Sequence, residues 1–345
     1  MILIGMLHHR KNPDTVKKSY AYAAVAKAEG AELLFFSPKM VDFDNKKING
    51  YLYQEGKWKV INSRFPDVIY NAGSPDKLKK SESVIKRLKK TIPFTTHSIG
   101  NKLSVYYRLL LDGTFSEYLI PSHNILSLKH FTHYLSKYKR LVFKPVNGHK
   151  GQNITFIEAR EDKYMLTIDR VNLTLSEKEL LVYIEEKLNE ERFIVQPYIN
   201  SRTRSGNVFD FRLHTQKDGA GKWVITSIYP RIGPENSIVA NINSGGATNY
   251  LEPFLTQEYG DKYFDIKQYL EQFSLRLSKK MDELQMHYFK EEIDELGIDV
   301  GLDENNKIWI FEVNWRPGCP PAFYLELDVV KNLINYAILL AKQSD

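Results

Sequence analysis

Two carboxylates and an amide late in the sequence have the types and spacing to hold a hard metal ion. They lie in GIDVGLDENNKIWIFEVNWRPG, residues 297–318. Ile298, Val300 and Leu302 alternate with Asp299, Gly301 and Asp303, the period of a strand. Asp303, Glu304, Asn305 and Asn306 carry turn chemistry. Ile308, Trp309, Ile310 and Phe311, then Val313, form an apolar β-favouring run that Pro317 stops. The pattern predicts a β-hairpin that sets Asp299 near Glu312 and Asn314, with the last two on one face. Hard oxygen ligands of this kind suit Mg2+, with Mn2+ as the alternative, in a shell shared with substrate phosphates. The competing reading is a sheet face whose acids meet solvent. Against it stands the cost of an unpaired carboxylate deep in an apolar run.

A second group has the types to hold an anion. In LVFKPVNGHKGQNI, residues 141–154, an apolar strand delivers Lys144 into a turn containing Gly148 and Gly151. A lysine at a strand end sets a point charge on a phosphate, and the glycines let backbone N–H groups close over its oxygens. This is not a Walker A loop, which needs Gly-Lys-Ser/Thr opening a helix. An ordinary hairpin turn with an exposed lysine remains the alternative. On a strand over 208–216, Asp210, Arg212 and His214 share a face, and its antiparallel partner Trp223–Ile232 carries Arg231. Two arginines opposite an acid make either a surface ion pair worth little or a cationic clamp for an oxyanion. The small-residue loop NINSGGAT, 241–248, is of the kind that brings backbone close to a ligand. The single cysteine, Cys319, excludes an intrachain disulfide and has no nearby His to activate it.

Positioning these groups takes a chain of mixed helix and strand. Strand Ile2–Leu7, a helix over 16–29 and strand Ala31–Phe36 predict a β-α-β start with parallel pairing. Short antiparallel strands follow, then a buried strand over 67–71, a helix over 76–90 and a strand near Phe94. Next come helices over 98–112, with Lys102 in the first turn, and over 128–139. Ser176 caps a helix that runs to 189, and 193–199 is a strand broken by Pro197. A long helix over 261–291 precedes the hairpin, and a helix over 324–343 ends the sequence. A length of 345 residues implies two or three packed units. With 43% apolar and 26% charged residues, the composition suits a soluble globular enzyme. The net charge of +6 is spread out, and its densest stretch, 77–90, has Ser and Glu interleaved as on a solvated helix face. A nucleic-acid partner would rest on that charge alone, without an aromatic-basic motif. No apolar run is long enough for a signal peptide or a membrane span, so the cytoplasm is the default expectation.

In order and spacing these motifs resemble the ATP-grasp ligases over residues 98–320, and within them the spore-coat-associated YheC/YheD group. The likeness runs through a helix-opening Lys102, then Lys144 with the Gly148, His149, Gly151 turn, then the hinge Gln196, Pro197, Tyr198, Ile199. It continues through Asp210 and Arg212, Arg231, a loop with Asn241, Gly245 and Gly246, and Asp299 with Glu312 and Asn314 ahead of Pro317-Gly318. The resemblance implies an α/β (α+β) fold: an N-terminal α/β pre-ATP-grasp domain over 1–96 and an ATP-grasp domain of two α+β subdomains over 97–345. The lid subdomain would cover 140–197 and the C-terminal catalytic subdomain 198–345.

The resemblance also implies roles. Lys102 and Lys144 would hold ATP phosphates under a mobile lid at 148–151, and Gln196, Pro197, Tyr198 and Ile199 would meet adenine. Asp210 would sit near the ribose or phosphates. Arg212, Arg231 and Asn241 would face the γ-phosphate and the reacting carboxylate, and Asp299, Glu312 and Asn314 would bind Mg2+. The implied activity joins a carboxylate to an amine through an acyl phosphate, releasing ADP and phosphate. Its partners would be ATP, a small-molecule or peptide acid and an amine acceptor, with specificity in the N-terminal domain and in loops 200–207 and 237–248. The alternative is an ATP-binding structural or spore-coat-associated protein with little turnover. Four residues depart from the pattern. His149 and Lys150 are bulky for a lid, Gln196 stands where an acid is common, and Gly297 replaces a basic residue that some ligases keep.

Overall fold

This computed structural model describes residues 1–146, 154–168, 170–240, 242 and 245–318, with 326, 327, 330, 333 and 334 of the final stretch. The expected turn at 148–151 lies outside the described residues, as does most of the expected helix over 324–343. The chain divides into two compact units, Met1–Ser98 with Gly318–Asp345, and Ile99–Pro317.

The first unit is built on a sheet in which Ile2–Leu7 runs parallel to Ala31–Phe36 on one side and to Val68–Asn71 on the other. Phe94–Thr95 extends the parallel part, while Lys47–Gln54 pairs antiparallel to Ala31–Phe36 and carries Lys57–Arg64. Helix Lys17–Ala28 buries Ala23 and Ala26 beside Met6, Leu33 and Phe35, because small residues let a crossover helix lie close on a sheet. The helix expected over 76–90 is broken into Pro75–Leu78, a tight turn Lys79–Ser81 and Glu82–Lys89. Lys77, Lys79 and Lys80 crowd like charges at the break, and serine is a weak helix former.

The second unit holds two sheets. One has six strands in the order Val171–Leu175, Lys163–Ile168, Thr155–Arg160, Arg140–Pro145, Phe193–Pro197 and His123–Ile125. The other has five, in the order Ala247–Thr248, Trp223–Ile232, Phe209–Lys217, Glu295–Leu302 and Ile308–Trp315. Helix Tyr263–Phe289 buries Ile266, Leu270, Phe273, Leu277, Met281 and Leu284, the three-and-four spacing of a single stripe. That stripe joins one core with Phe211, Leu213, Ile298 and Val300 of the five-stranded sheet. Strand alternation therefore sends Asp210, Arg212 and Asp299 to the other face.

Three local features set the site-bearing elements. Helix Lys102–Asp112 begins four residues later than expected because Asn101 caps it, its side chain accepting from Ser104 N–H at 2.9 Å. Lys102 is thereby the first helical residue, where the helix dipole disfavours a cation and attracts an anion. Helix Leu251–Tyr259 has no counterpart among the sequence expectations and carries Pro253. In the first turn a proline costs nothing, because those N–H groups have no helical partner. The hairpin pairs Asp299 with Glu312 as expected, but its register shifts after Asp299 so that Val300 faces Ile310. Phe311 is the extra residue of this β-bulge, a device that re-aims side chains near sites.

Candidate active site

The charged face of the five-stranded sheet carries an alternating line of acids and guanidinium groups. Arg231 donates through Nε and Nη2 to both oxygens of Asp210, at 2.6 and 2.7 Å. The same Nη2 reaches Asp299 Oδ2 at 3.0 Å. From the next strand Arg212 donates to Asp299 Oδ1 and Oδ2 at 2.5 and 3.1 Å. Register alone accounts for the order: Asp210 faces Arg231, Arg212 faces Asp299, and Asp299 faces Glu312. Asp210, Arg231 and Asp299 are 6%, 6% and 5% exposed, so this is a buried network and not a surface ion pair. Burial pushes the Asp210 carboxyl up to about 6, against the pull of the Arg231 charge and its hydrogen bonds. Burial would also lower both arginines. Instead Asp299 and Asp210 hold Arg231 well above its ordinary range, and Asp299 holds Arg212 there.

The lysines are arranged differently. Lys102 Nζ lies 3.2 Å from Glu312 Oε2 and is half exposed. Lys144 is on the strand Arg140–Pro145 of the six-stranded sheet, opposite Ile194. Desolvation brings its ammonium down to about 8, the Lys102 charge pushes the same way, and Glu312 opposes both. Lys144 is therefore a part-buried strand residue and not an exposed one; the turn expected after it lies outside the described residues.

A cavity of ≈ 290 Å³ collects these groups. Of the residues singled out in the sequence, Lys102, Lys144, Gln196, Pro197, Tyr198, Ile199, Asp210, Arg231, Asp299 and Glu312 line it. Arg212 does not, and reaches it only through Asp299. Asn314 is absent from its lining too; it pairs with Gly297, diagonal to Asp299. Gly148, His149, Gly151 and Asn241 lie outside the described residues. His214 turns to Glu295 at 2.9 Å, away from the cavity. In the hinge, Gln196 donates to Ser122 Oγ at 2.6 Å, which fixes its amide. Tyr198 lies under the Arg140 guanidinium, 4.9 Å from ring centre, and edge-on to Phe156.

Sequence reasoning missed part of the lining, chiefly Tyr106, Ser122 and Phe311. A signal existed for Phe311. A Cβ on Gly301 would come within 2.3 Å of its ring, so the glycine in the strand marks a close aromatic approach. Gly297 likewise has a steric reason: a Cβ there would meet Pro317 at 2.5 Å and Arg212 Cδ at 3.3 Å.

The donor set fits a hard divalent cation. Asp299 and Glu312 face each other across the hairpin, both on the cavity, with Asn314 two residues on. Among the described residues no cluster of three His, Cys, Asp or Glu side chains forms, so a cation here would share its shell with an amide oxygen and a ligand's own oxygens. Asp299 is the most committed of the three, since both its oxygens already accept from guanidinium groups. Cations, acids and apolar walls in one cavity together suit a ligand with an apolar ring and a polyanionic tail.

The family model for YheC/D-like ATP-grasp proteins matches residues 91–340. The chain belongs to that family. It is 26% identical to the endospore coat-associated protein YheD of Bacillus subtilis (strain 168), over 84% of this chain and 65% of YheD. It is 22% identical to YheC of the same organism, over 84% of this chain and 81% of YheC. The match thus spans just under two thirds of YheD. The α+β ATP-grasp fold recurs in the ATP-grasp ligase PsnB. Complexed with its minimal precursor, PsnB matches with a TM-score of 0.52 at 12% identity, covering 90% of this chain and 89% of that one. Its complex with a phosphomimetic variant of the precursor, Mg and ADP matches with a TM-score of 0.50 at 13% identity, covering 91% and 90%. No described helix is long and apolar enough to cross a membrane.

Proposed function

We propose that this chain is an ATP-dependent ligase that joins a carboxylate to an amine through an acyl phosphate, releasing ADP and inorganic phosphate. The supporting observation is that one cavity gathers Lys102, Lys144, Arg231, Asp299 and Glu312 beside a hinge strand and apolar walls. The ATP-grasp family supports the same reading, and the ATP-grasp ligase PsnB was solved with Mg and ADP. We take residues 97–345 as the catalytic domain and 140–197 as its lid, with Gly148, His149 and Gly151 closing over the phosphates and Asn241 facing the reacting carboxylate.

A carboxylate is a poor electrophile because hydroxide is a poor leaving group. Attack of its oxygen on the γ-phosphorus breaks the bond to ADP and forms an acyl phosphate; the amine then displaces phosphate. Such a transfer needs positioning and positive charge around the spreading negative charge more than it needs a side-chain nucleophile. Lys144 and Lys102 supply mobile charge at the phosphates. Arg231, fixed by Asp210, presents its remaining edge to the cavity, and Arg212 holds Asp299 in place. Mg2+, held by Glu312, Asp299 and Asn314, would neutralise phosphate charge when bound. The hinge at Gln196, Pro197, Tyr198 and Ile199 would receive the base. The test uses a candidate acid labelled with heavy oxygen in its carboxylate. Label should appear in the released phosphate with ADP as co-product, and AMP or unlabelled phosphate during confirmed ligation would sink the mechanism.

A second reading, an ATP-binding coat-associated protein with little turnover, is favoured by one observation: both curated relatives are named as endospore coat-associated. Nucleotide binding without phosphate release across a panel of acids and amines would decide for it.

A further inference from the structure

We infer that Ser122 is a positioning residue for base selection. By fixing which end of the Gln196 carboxamide meets the ligand, it makes the cavity take a base with an amino group and reject one with a carbonyl in that place. The inference rests on the nucleotide site proposed above and adds what sets its choice of base. Gln196 is one of the departures from the ATP-grasp pattern, standing where an acid is common. A carboxylate only accepts hydrogen bonds, so turning it over changes nothing. A carboxamide accepts at one end and donates at the other, so turning it over inverts what it offers. A glutamine here reads a base reliably only if a neighbour holds its amide one way round.

Register brings that neighbour into place. His123 pairs with Val195 across the antiparallel strands His123–Ile125 and Phe193–Pro197, so the residue before His123 falls beside Gln196. The Ser122 hydroxyl donates its one proton to Ile120 O at 3.0 Å. Its oxygen can then only accept, and Gln196 Nε2 donates to it at 2.6 Å. Gln196 Oε1 is left as an acceptor with no hydrogen bond among the described residues. A reversed amide would set its oxygen against the Ser122 oxygen, or draw the hydroxyl proton away from Ile120 O, and either way a bond is lost. Ser122, Gln196 and Ile120 all line the nucleotide cavity, with Val142, Ile154 and Ile194. Apolar walls leave little water to rescue a mismatched group. Oε1 therefore favours an incoming amino group and opposes a carbonyl. Adenine carries the amino group, and hypoxanthine carries a carbonyl at the same position.

The experiment is calorimetric titration of the full chain with ADP and with IDP, its hypoxanthine counterpart, each with Mg2+. Wild type should prefer ADP. Ser122→Ala frees the amide to turn, so the preference should fall about tenfold, mainly through tighter binding of IDP. Ser122→Thr keeps the hydroxyl and should keep the preference. Gln196→Glu offers only acceptors, so adding Ser122→Ala to it should leave its preference unchanged. If the alanine variant does not fold, Ser122→Cys takes its place, since a thiol is a weak acceptor. A wild type that binds both nucleotides equally would overturn the positioning role and leave the nucleotide site standing. So would a Ser122→Ala protein that weakens both alike or keeps the wild-type ratio, and so would an equal fall in the ratio when Gln196 is already Glu. Failure of wild type to bind either nucleotide would overturn the site itself, and this role with it.

Discussion

The arginines and the lysines of this site solve opposite problems. Arg231 is buried and Arg212 part-buried, and both are locked, each donating at least twice to carboxylates on neighbouring strands. A planar fork suits that work, since its hydrogen bonds fix geometry as well as charge. Among the described residues Lys102 pairs with Glu312 alone, and Lys144, which feels the same acid's charge, is desolvated far enough to lie near 8. A compact ammonium on a flexible stem is the charge that can move to an incoming phosphate. The network thus divides into a rigid half that holds Asp299 and a half with fewer bonds, Lys102 and Lys144, on the same cavity. Of the three residues expected at the nucleotide, Asp210 and Arg231 line the cavity, while Arg212 is bonded to Asp299 and does not.

The largest effect should come from breaking the rigid half. Arg231→Met leaves the Asp210 and Asp299 carboxylates buried without their shared partner. Losing one member of a buried network costs about 3–5 kcal/mol, read as a displacement of the unfolding transition in urea. A cost under about 1 kcal/mol, the worth of a surface pair, would break the comparison. Asp299→Asn should also destabilise, so its loss of activity cannot by itself be assigned to metal.

Glu312→Gln comes next and separates the functions. Glu312 is partly exposed and, among the described residues, pairs only with half-exposed Lys102, so stability should hardly change. Mg2+-dependent ATP turnover should fall about a hundredfold, because a metal-facing charge is lost while volume is kept. Turnover at the wild-type level would remove Glu312 from the metal set.

These outcomes bear on what the sequence made legible. The hairpin, the register that sets Asp299 against Glu312, and the pairing of Asp210 with Arg231 all follow from strand period and turn chemistry. Hence the charged residues of the cavity could be named in advance, while most of its apolar lining could not. The rigid half and the less bonded one could not be told apart, because bonds between strands far apart in sequence decide which side chain is free. Arg212 and Asp299 are 87 positions apart, and only the pairing of their strands makes them a fork. The helix that carries Pro253 was missed, and so was Phe311, because a bulge cannot be read from alternation alone.

Lys144 gives a smaller, pH-dependent effect. Its folded-state value lies near 8, below the ordinary 10.5. Between those values the unfolded chain binds more protons, so the stability cost of this lysine is full at neutral pH and fades as pH rises from about 8. The stability gap between Lys144→Met and wild type should therefore narrow over that range. ATP binding needs the charged form, so affinity should fall as pH rises through about 8, with proton uptake on binding. Lys144→Met should weaken ATP about tenfold and AMP much less. Equal losses for the two nucleotides would make Lys144 structural.

The smallest effect should come from Lys102→Met, and it sharpens the half with fewer bonds. Lys102 is half exposed and its pair with Glu312 spans 3.2 Å, so stability should change by under about 1 kcal/mol. Its charge is the second cause that lowers Lys144, while Glu312 works the other way. Removing Lys102 takes away a like charge and leaves Glu312 to Lys144 alone. Both changes favour the ammonium form, so Lys144 should titrate higher than in wild type. The pH at which ATP affinity begins to fall should move up accordingly, although total affinity drops through loss of one cation. Measuring ATP affinity against pH for both proteins separates the two consequences. An unchanged midpoint would show that Lys102 and Lys144 act independently, and that desolvation alone sets Lys144.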